Sequence, residues 1–180
     1  MEYHVDLPLS TEDVDKFHIG DILYVSGMIF TARDEAHHMM LDSNSKDLPF
    51  TPGDMGLYHC GPLMKQTATG WEVVSAGPTT SSRMEIFEDD FLQKYGIRLI
   101  IGKGGMGPRT QKALQHYHAV YTAYTGGAGA LAADKVKNVP GVYWLDELGM
   151  PEAVWLFEVN EFGPLVVAMD SHGKSLYGEI

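Results

Sequence analysis

"IRLIIGKGGMGPRTQKALQHYH" (residues 97–118) is the stretch from which the rest of the chain can be read. "IRLII" (97–101) is a nearly continuous apolar run of the kind that suits a buried strand, and "GPRTQKALQHYH" sets a proline at a helix N1 position ahead of helix formers. Between them lies "GKGGMG" (102–107), four glycines around one lysine. Glycine at that density gives up side chains so that the backbone can turn sharply and approach a ligand. The stretch therefore predicts strand, loop and helix. Lys103 would stand where free N–H groups and the positive end of a helix dipole meet, a place suited to a phosphate or a carboxylate. The plainer alternative is a glycine-rich turn with a solvated lysine. A nucleotide P-loop is excluded, because Gly96 and Gly102 are one residue too far apart for that motif and Gly104 follows the lysine instead of Ser or Thr.

Working outward, "DILYVSGMIFTA" (21–32) reads as a strand and "RDEAHHMMLD" (33–42) as a helix with an acidic first turn. "GLYHCGP" and "GWEVVSAGP" read as two further strands joined by "MKQTATG". In "TTSSRMEIFEDDFLQKYG" a Thr/Ser run can cap a helix that carries Met84, Phe87, Phe91 and Tyr95 at helical spacing and stops at Gly96. Beyond the glycine loop, "HAVYTAY" is strand-like, "ALAADKVK" a short helix, and "GVYWL", "AVWLFEV" and "PLVVAMD" three strands. Strands outnumber helices and cluster at both ends. That order predicts one α/β domain over residues 1–180, with a mixed sheet rather than a regular βαβ array.

Composition narrows the class. With 44% hydrophobic and 21% charged residues the chain is an ordinary globular protein with enough length for a sizeable core. No apolar run reaches the roughly 18 residues of a membrane span, and the acidic, polar start is unlike a signal peptide, so a cytoplasmic location and no membrane partner are expected. A formal charge of −11 argues against sequence-independent nucleic-acid binding. Yet Arg33, Arg83, Lys103 and Arg109 all sit beside turn-forming or Thr/Ser-rich segments, as a local pocket for a small dianion requires. The single cysteine, Cys60, can neither form an intrachain disulfide nor supply the ligands of a zinc or iron–sulfur site by itself.

Two segments repeat one design. "TARDEAHH" (31–38) places Arg33 and Asp34 at a strand-to-helix junction with His37 on roughly the same helical face, and an arginine there can grip a carboxylate with two parallel bonds. "GPTTSSRM" (77–84) again gives strand end, turn, hydroxyls, helix start and arginine; capping explains one hydroxyl of that run, not four. For Arg33 the alternative is an Asp cap with a solvated arginine. His37 and His38 are adjacent and diverge, while His116 and His118 share a face only on a strand, so no metal site within this chain is expected. "GAGALA" (127–132), with Asp146 downstream, matches the dinucleotide pattern G-x-G-x-x-G/A, but a whole α/β layer precedes it and the match reads as accidental.

Taken together, "TARDEAHH", "GPTTSSRM", "GKGGM" and "GMPEAVW" (149–155), in that order, resemble the β subunit of the class I iron–sulfur hydro-lyases, the fumarate hydratases and L(+)-tartrate dehydratases. The resemblance implies a swivelling β/β/α fold. It also implies an α subunit that holds a [4Fe–4S] cluster through three cysteines with one iron open to substrate, and hence a hetero-oligomer. On that pattern Arg33, Arg83 and Lys103 would grip the carboxylates of a C4 dicarboxylate, and Thr79 would be the base that removes the C3 proton. Asp34, His37, Thr80, Gly102, Gly104 and Gly105 would support them, with Asp34 and His37 orienting Arg33. Fumarate hydration is the main expectation. L(+)-tartrate dehydration and a non-catalytic anion-binding module of the same fold are the alternatives.

Overall fold

The computed structural model of the chain describes residues 1–124 and 129–178. In chain order its elements are β1 (Glu2–Asp6), α1 (Thr11–Val14), β2 (Ile22–Thr31), α2 (Asp34–Asp42), β3 (Gly56–Tyr58), β4 (Leu63–Thr67) and β5 (Gly70–Ser75). They continue with α3 (Glu88–Tyr95), β6 (Leu99–Gly102), α4 (Pro108–Tyr117), β7 (Val120–Tyr124), α5 (Gly129–Lys135), β8 (Val136–Tyr143), α6 (Leu145–Leu148) and β9 (Val154–Met169). A 3-10 turn, Ser81–Ile86, leads into α3.

The main sheet runs β1-β2-β3-β6-β7-β9-β8, and an added pairing of β2 with β9 closes five of these strands into a barrel. β1, β2, β3, β6 and β7 are mutually parallel, whereas β9 runs antiparallel to β2, β7 and β8. The sheet is therefore mixed, as the order of elements predicts.

Period-two alternation divides the apolar residues between two cores. Leu23, Val25 and Ile29 of β2, Tyr58 of β3, Leu99 and Ile101 of β6, and Trp155 and Phe157 of β9 share one core on the inner face. Phe30, Leu57, Ile100, Tyr121 and Leu156 point the other way, onto Ala36 and Met40 of α2, Phe91 and Leu92 of α3, and Ala113 and Leu114 of α4. Both faces of β6 are thus covered, which is why its sequence is an unbroken apolar run. Each such buried side chain stabilises the fold by about 2 kcal/mol before chain entropy is charged against it.

Several elements depart from the sequence expectations. "LMKQT" is not a connector but β4, which forms a separate two-stranded hairpin with β5. The two strands expected in residues 153–170 are one, β9, kept continuous because β8, β2 and β7 pair with it over successive overlapping stretches. The polar start contains β1, whose exposure alternates with its pleat. Of the dinucleotide match at 127–132, Gly127 and Ala128 lie outside the described residues; the strand after α5 pairs antiparallel with β9, not in a parallel βαβ unit, and Asp146 lies in α6. Among the described residues no helix is long and apolar enough to cross a membrane.

Candidate functional site

Parallel strands end together, and in this fold three of them end where the sequence motifs begin. Thr31 of β2 is in register with Tyr58 of β3, and Tyr58 with Ile101 of β6. Two further ladder bonds, Ala32 N–H to Tyr58 O at 3.0 Å and His59 N–H to Ile101 O at 2.8 Å, carry the register past the last strand residues. Arg33, His59 and Lys103 consequently leave the carboxyl edge of the sheet side by side, the edge at which open α/β sheets bind ligands. The hydroxyl segment is pinned across the same edge: Thr79 N–H donates to His59 O at 2.7 Å and Ser81 N–H to Lys103 O at 2.9 Å. "TARD", "TTSSR" and "GKGG", well separated in sequence, meet there.

Arg33, Arg83 and Arg109 each have a carboxylate partner. Arg33 Nε lies 3.2 Å from Glu152 Oε1 as an ion pair, its N–H pointing off the line to the oxygen, and Glu152 Oε2 accepts from Glu35 N–H at 3.2 Å. The guanidinium lies over Gly61, where a Cβ would come within 2.8 Å of Arg33 Cδ and Nη1. Arg83 is half exposed, and its Nη2 lies 3.3 Å from Asp34 Oδ2. The expectation that Asp34 orients Arg33 is therefore corrected: it faces Arg83, and Glu152 of "GMPEAVW" takes the place beside Arg33. His37 does reach Arg33, through the backbone, with Nδ1 2.7 Å from Arg33 O. Arg109 is not part of the group, since it pairs with Asp89 and Asp90 of α3, each at 3.2 Å.

The glycine loop has a more divided role than its sequence suggests. The start of α4 does bind a carboxylate, but it is the chain's own Glu85, which accepts from Gly107 N at 2.7 Å, Arg109 N at 3.0 Å, Thr110 N at 3.1 Å and Thr110 Oγ1 at 2.5 Å. The anion site expected at that helix start is filled. Gly102 permits close packing, for a Cβ there would sit 1.8 Å from Ser81 Oγ. Gly104 has φ +77 and open space around it, the conformation that favours glycine, and its carbonyl accepts from Tyr121 OH at 2.8 Å. Gly105 lies under the Tyr177 ring, where an added Cβ would come within 3.0 Å of it. Lys103 is half-buried. Thr79 is half-buried and Thr80 exposed, and Thr80 makes no side-chain cap bond.

Beneath these groups runs a network that the sequence reading missed. His37, His59, Ser81 and Glu88 are all fully buried. Glu88 Oε1 receives His37 Nε2 at 2.8 Å and His59 Nε2 at 2.9 Å, while His59 Nδ1 lies 2.8 Å from Ser81 Oγ, which also accepts from Lys103 N–H at 3.1 Å. The proton positions follow from the partners. His37 faces two pure acceptors, Arg33 O and Glu88, and so carries both protons. His59 donates to Glu88 and accepts from the Ser81 hydroxyl, and so is neutral. Burial alone would lower the His37 pKa, but the charge and hydrogen bond of Glu88 raise it; at His59 burial prevails and lowers it. Burial likewise opposes ionisation of Glu88, yet the two imidazoles bring its pKa down to about 2.

Two chemical misreadings are possible here. Ser81, His59 and Glu88 are the residue types of a nucleophilic triad, but Ser81 is sealed from solvent and its oxygen is already engaged by Lys103. His37, His59 and Glu88 also bring three metal-type donor atoms within 4.8 Å of one another, yet both imidazoles spend their Nε2 on the carboxylate. Of the other histidines weighed in the sequence, His38 packs edge-on against Phe87, His116 is exposed on α4, and His118, its left-handed C-cap, pairs with Asp15 at 3.0 Å.

The model of the Fumarase C-terminus family matches residues 2–180. The chain belongs to that family. Among its relatives in the Fumarase C-terminus family, a protein of Methanocaldococcus jannaschii provisionally named L(+)-tartrate dehydratase subunit beta is 52% identical over 183 residues, covering 100% of this chain and 93% of its own. The L(+)-tartrate dehydratase subunit beta of Escherichia coli is 40% identical, over 96% of this chain and 85% of its own. A Geobacillus stearothermophilus protein provisionally named fumarate hydratase class I is 42% identical over 96% of this chain, which spans only 33% of that longer protein. The fumarase family extent thus takes in every motif at the sheet edge.

Proposed function

We propose that this chain is the β subunit of a hydro-lyase acting on a C4 hydroxy-dicarboxylate, with L(+)-tartrate as the substrate. The observation that carries the reading is the gathering of Arg33, Thr79, Arg83 and Lys103 along one carboxyl edge of the barrel, within a family match spanning residues 2–180. The sequence reading favoured fumarate. Relatives matched over most of their own length carry the tartrate dehydratase name, whereas the fumarate hydratase relative is matched over a third of its length.

In the proposed reaction tartrate loses its C3 proton and C2 hydroxyl, giving the enol of oxaloacetate and one water. Charge builds on the carboxylate beside C3 as the proton leaves. Fixed cations near that carboxylate stabilise the transition state more than the ground state, which is the role given to Arg33, Arg83 and Lys103. Thr79 is the proposed acceptor of the proton, and it needs those cations to lower the pKa of its hydroxyl.

The iron–sulfur cluster implied by the resemblance does not fit the donors of this chain. Cys60 is the sole cysteine, it is fully buried, and burial pushes its thiol far above the usual range. A cluster belongs with the α partner that the relatives' subunit names call for. Arg83 and Thr80 face solvent on an open surface, as a site completed by a second chain requires.

The test is to assay the chain, alone and assembled anaerobically with its α partner, on L(+)-tartrate, malate, fumarate and mesaconate. The expected result is activity in the assembled enzyme only, with the highest kcat/KM on L(+)-tartrate. Turnover of none of these, by dehydration of tartrate or malate or by hydration of fumarate or mesaconate, in an assembled, cluster-loaded enzyme refutes the reading, and leaves the non-catalytic module. A preference for fumarate or malate restores the alternative that the sequence favoured.

A further inference from the structure

A fully buried carboxylate is costly, and replacing a buried ion pair by apolar groups of similar volume is often neutral or stabilising. Glu88 sits at the first position of α3 with Phe87 stacked on its partner His37 and Phe91 tilted against it, at centroid distances of 5.4 and 4.6 Å, surroundings that a leucine would also suit. What distinguishes this carboxylate is where its bonds end. Through His37 it reaches the backbone carbonyl of Arg33, and through His59 and Ser81 the backbone N–H of Lys103. His59 in turn holds Thr79 by its own carbonyl. Three segments that approach one another only at the sheet edge are tied to one oxygen atom.

We infer that Glu88 is a positioning residue: through His37, His59 and Ser81 it sets the spacing of the backbone at Arg33, Thr79 and Lys103, and so the spacing of the groups that meet substrate. The inference rests on the hydro-lyase reading for its catalytic consequence, but not for the network itself. It also has a charge requirement. A neutral His37 has one N–H and cannot serve both Arg33 O and residue 88, so removing the charge of Glu88 while keeping its shape breaks one end of the network. The other ionisable groups acting on this cluster are Asp34 at the start of α2, whose charge favours protonation of both imidazoles, and Tyr121 on β7, which feels the charge of Glu88.

Two variants test this. Glu88→Gln keeps volume and an acceptor oxygen but not the charge; Ser81→Ala cuts only the link from His59 to Lys103. In the full chain, side-chain ¹⁵N NMR at pH 7 should find both His37 nitrogens protonated in the wild type and one in Glu88→Gln, with the amide resonances of Arg33, Thr79 and Lys103 displaced. In the assembled enzyme each variant should lose about tenfold or more in kcat/KM on L(+)-tartrate, the scale of sub-ångström to ångström misplacement. Glu88→Gln should also remove the alkaline limb that loss of the His37 proton gives the wild-type pH profile. Wild-type kinetics in both variants overturn the inference, as does a singly protonated His37 in the wild type. If Glu88→Gln does not fold, Ser81→Ala decides by the same criteria. If the wild-type assembly has no hydro-lyase activity the functional reading fails, and the amide displacements alone decide the network.

Discussion

Gly102→Ala should be far more damaging than Gly104→Ala, although both glycines flank Lys103. The added Cβ at position 102 would lie 1.8 Å from Ser81 Oγ, 3.0 Å from Tyr121 OH and 3.1 Å from His59 Nδ1. Ordinary contact begins near 3.4 Å, so the serine oxygen must move by about 1.6 Å, the difference between those two distances. Rotating Ser81 away removes two buried bonds, from Lys103 N–H and to His59 Nδ1. Each group left unpaired in a dry interior costs about 1–3 kcal/mol, about 2–6 kcal/mol together. At about 2–4 °C per kcal/mol for a chain of this size, the thermal midpoint should fall by roughly 4–24 °C. At position 104 nothing lies within 4 Å, and only the positive φ of +77 opposes a side chain, a cost of about 1–2 kcal/mol. The assay is thermal unfolding of both variants in the full chain, with the Lys103 amide resonance as a local probe. Equal midpoints for the two variants, or an unmoved Lys103 amide in Gly102→Ala, would refute the argument that Ser81 packs against the glycine.

Arg83→Lys should cost about 2–4 kcal/mol in the kcat/KM of the assembled enzyme, because a point charge cannot reproduce a two-toothed grip on a carboxylate; near-normal kinetics would return Arg83 to a surface pair with Asp34. Lys103→Met should keep the thermal midpoint within a few degrees and lower kcat/KM greatly, and an active variant would make the loop structural only. Glu85→Ala should destabilise the chain by about 1–3 kcal/mol and speed amide exchange at the first turn of α4, since four donors lose their acceptor; unchanged exchange there would contradict the cap. The stability contributed by His37 and His59 should peak near pH 6.5, about the unfolded value for histidine. Above it His37, with its pKa raised, sheds in the folded state a proton the unfolded chain has already lost; below it the unfolded chain gains a proton that buried His59, with its pKa lowered, refuses. Denaturant titrations between pH 5 and 9 check this, and in Glu88→Gln the alkaline fall should vanish.

Much of the fold was legible because it depends on local patterns. The run 97–101 was buried on both faces, Gly96 did end its helix with φ 67, and Pro108 did open the next one. β9 was split in the reading because Asn160, Glu161 and Gly163 interrupt its apolar pattern, and Glu161 takes φ 53 at an irregularity in the β2 register. Three neighbouring strands hold such a segment together, and pairing partners are not written in the segment itself. The same limit hid the network under the site. Glu88 opens a helix whose first turn, Glu88, Asp89 and Asp90, is acidic as the dipole favours, and on sequence alone nothing separates it from its solvated neighbours. His59 sits in an apolar strand end, where a histidine carries no local signature. The one available hint was indirect: four hydroxyls beside Arg83 exceed what a cap needs, and Ser81 turns out to be spent on His59 and Lys103.

The pairing of the two arginines bears on how a dicarboxylate would be received. Glu152 lies on the Nε side of Arg33, and Gly61 makes room for Nη1, so the guanidinium is fixed in orientation. Arg83 is held differently. Its contact with Asp34 uses a terminal nitrogen at 3.3 Å and the side chain is half exposed, so Asp34 and a substrate carboxylate compete for the same edge. Screening by water makes that surface contact weak, whereas a carboxylate bound on a face covered by a second chain would be drier and held more strongly. On the proposed reading Arg33 would be the preorganised anchor and Arg83 the group that exchanges partners. If an α subunit covers this edge as proposed, excluding water there would favour the exchange, and the β subunit by itself would then bind a dicarboxylate poorly.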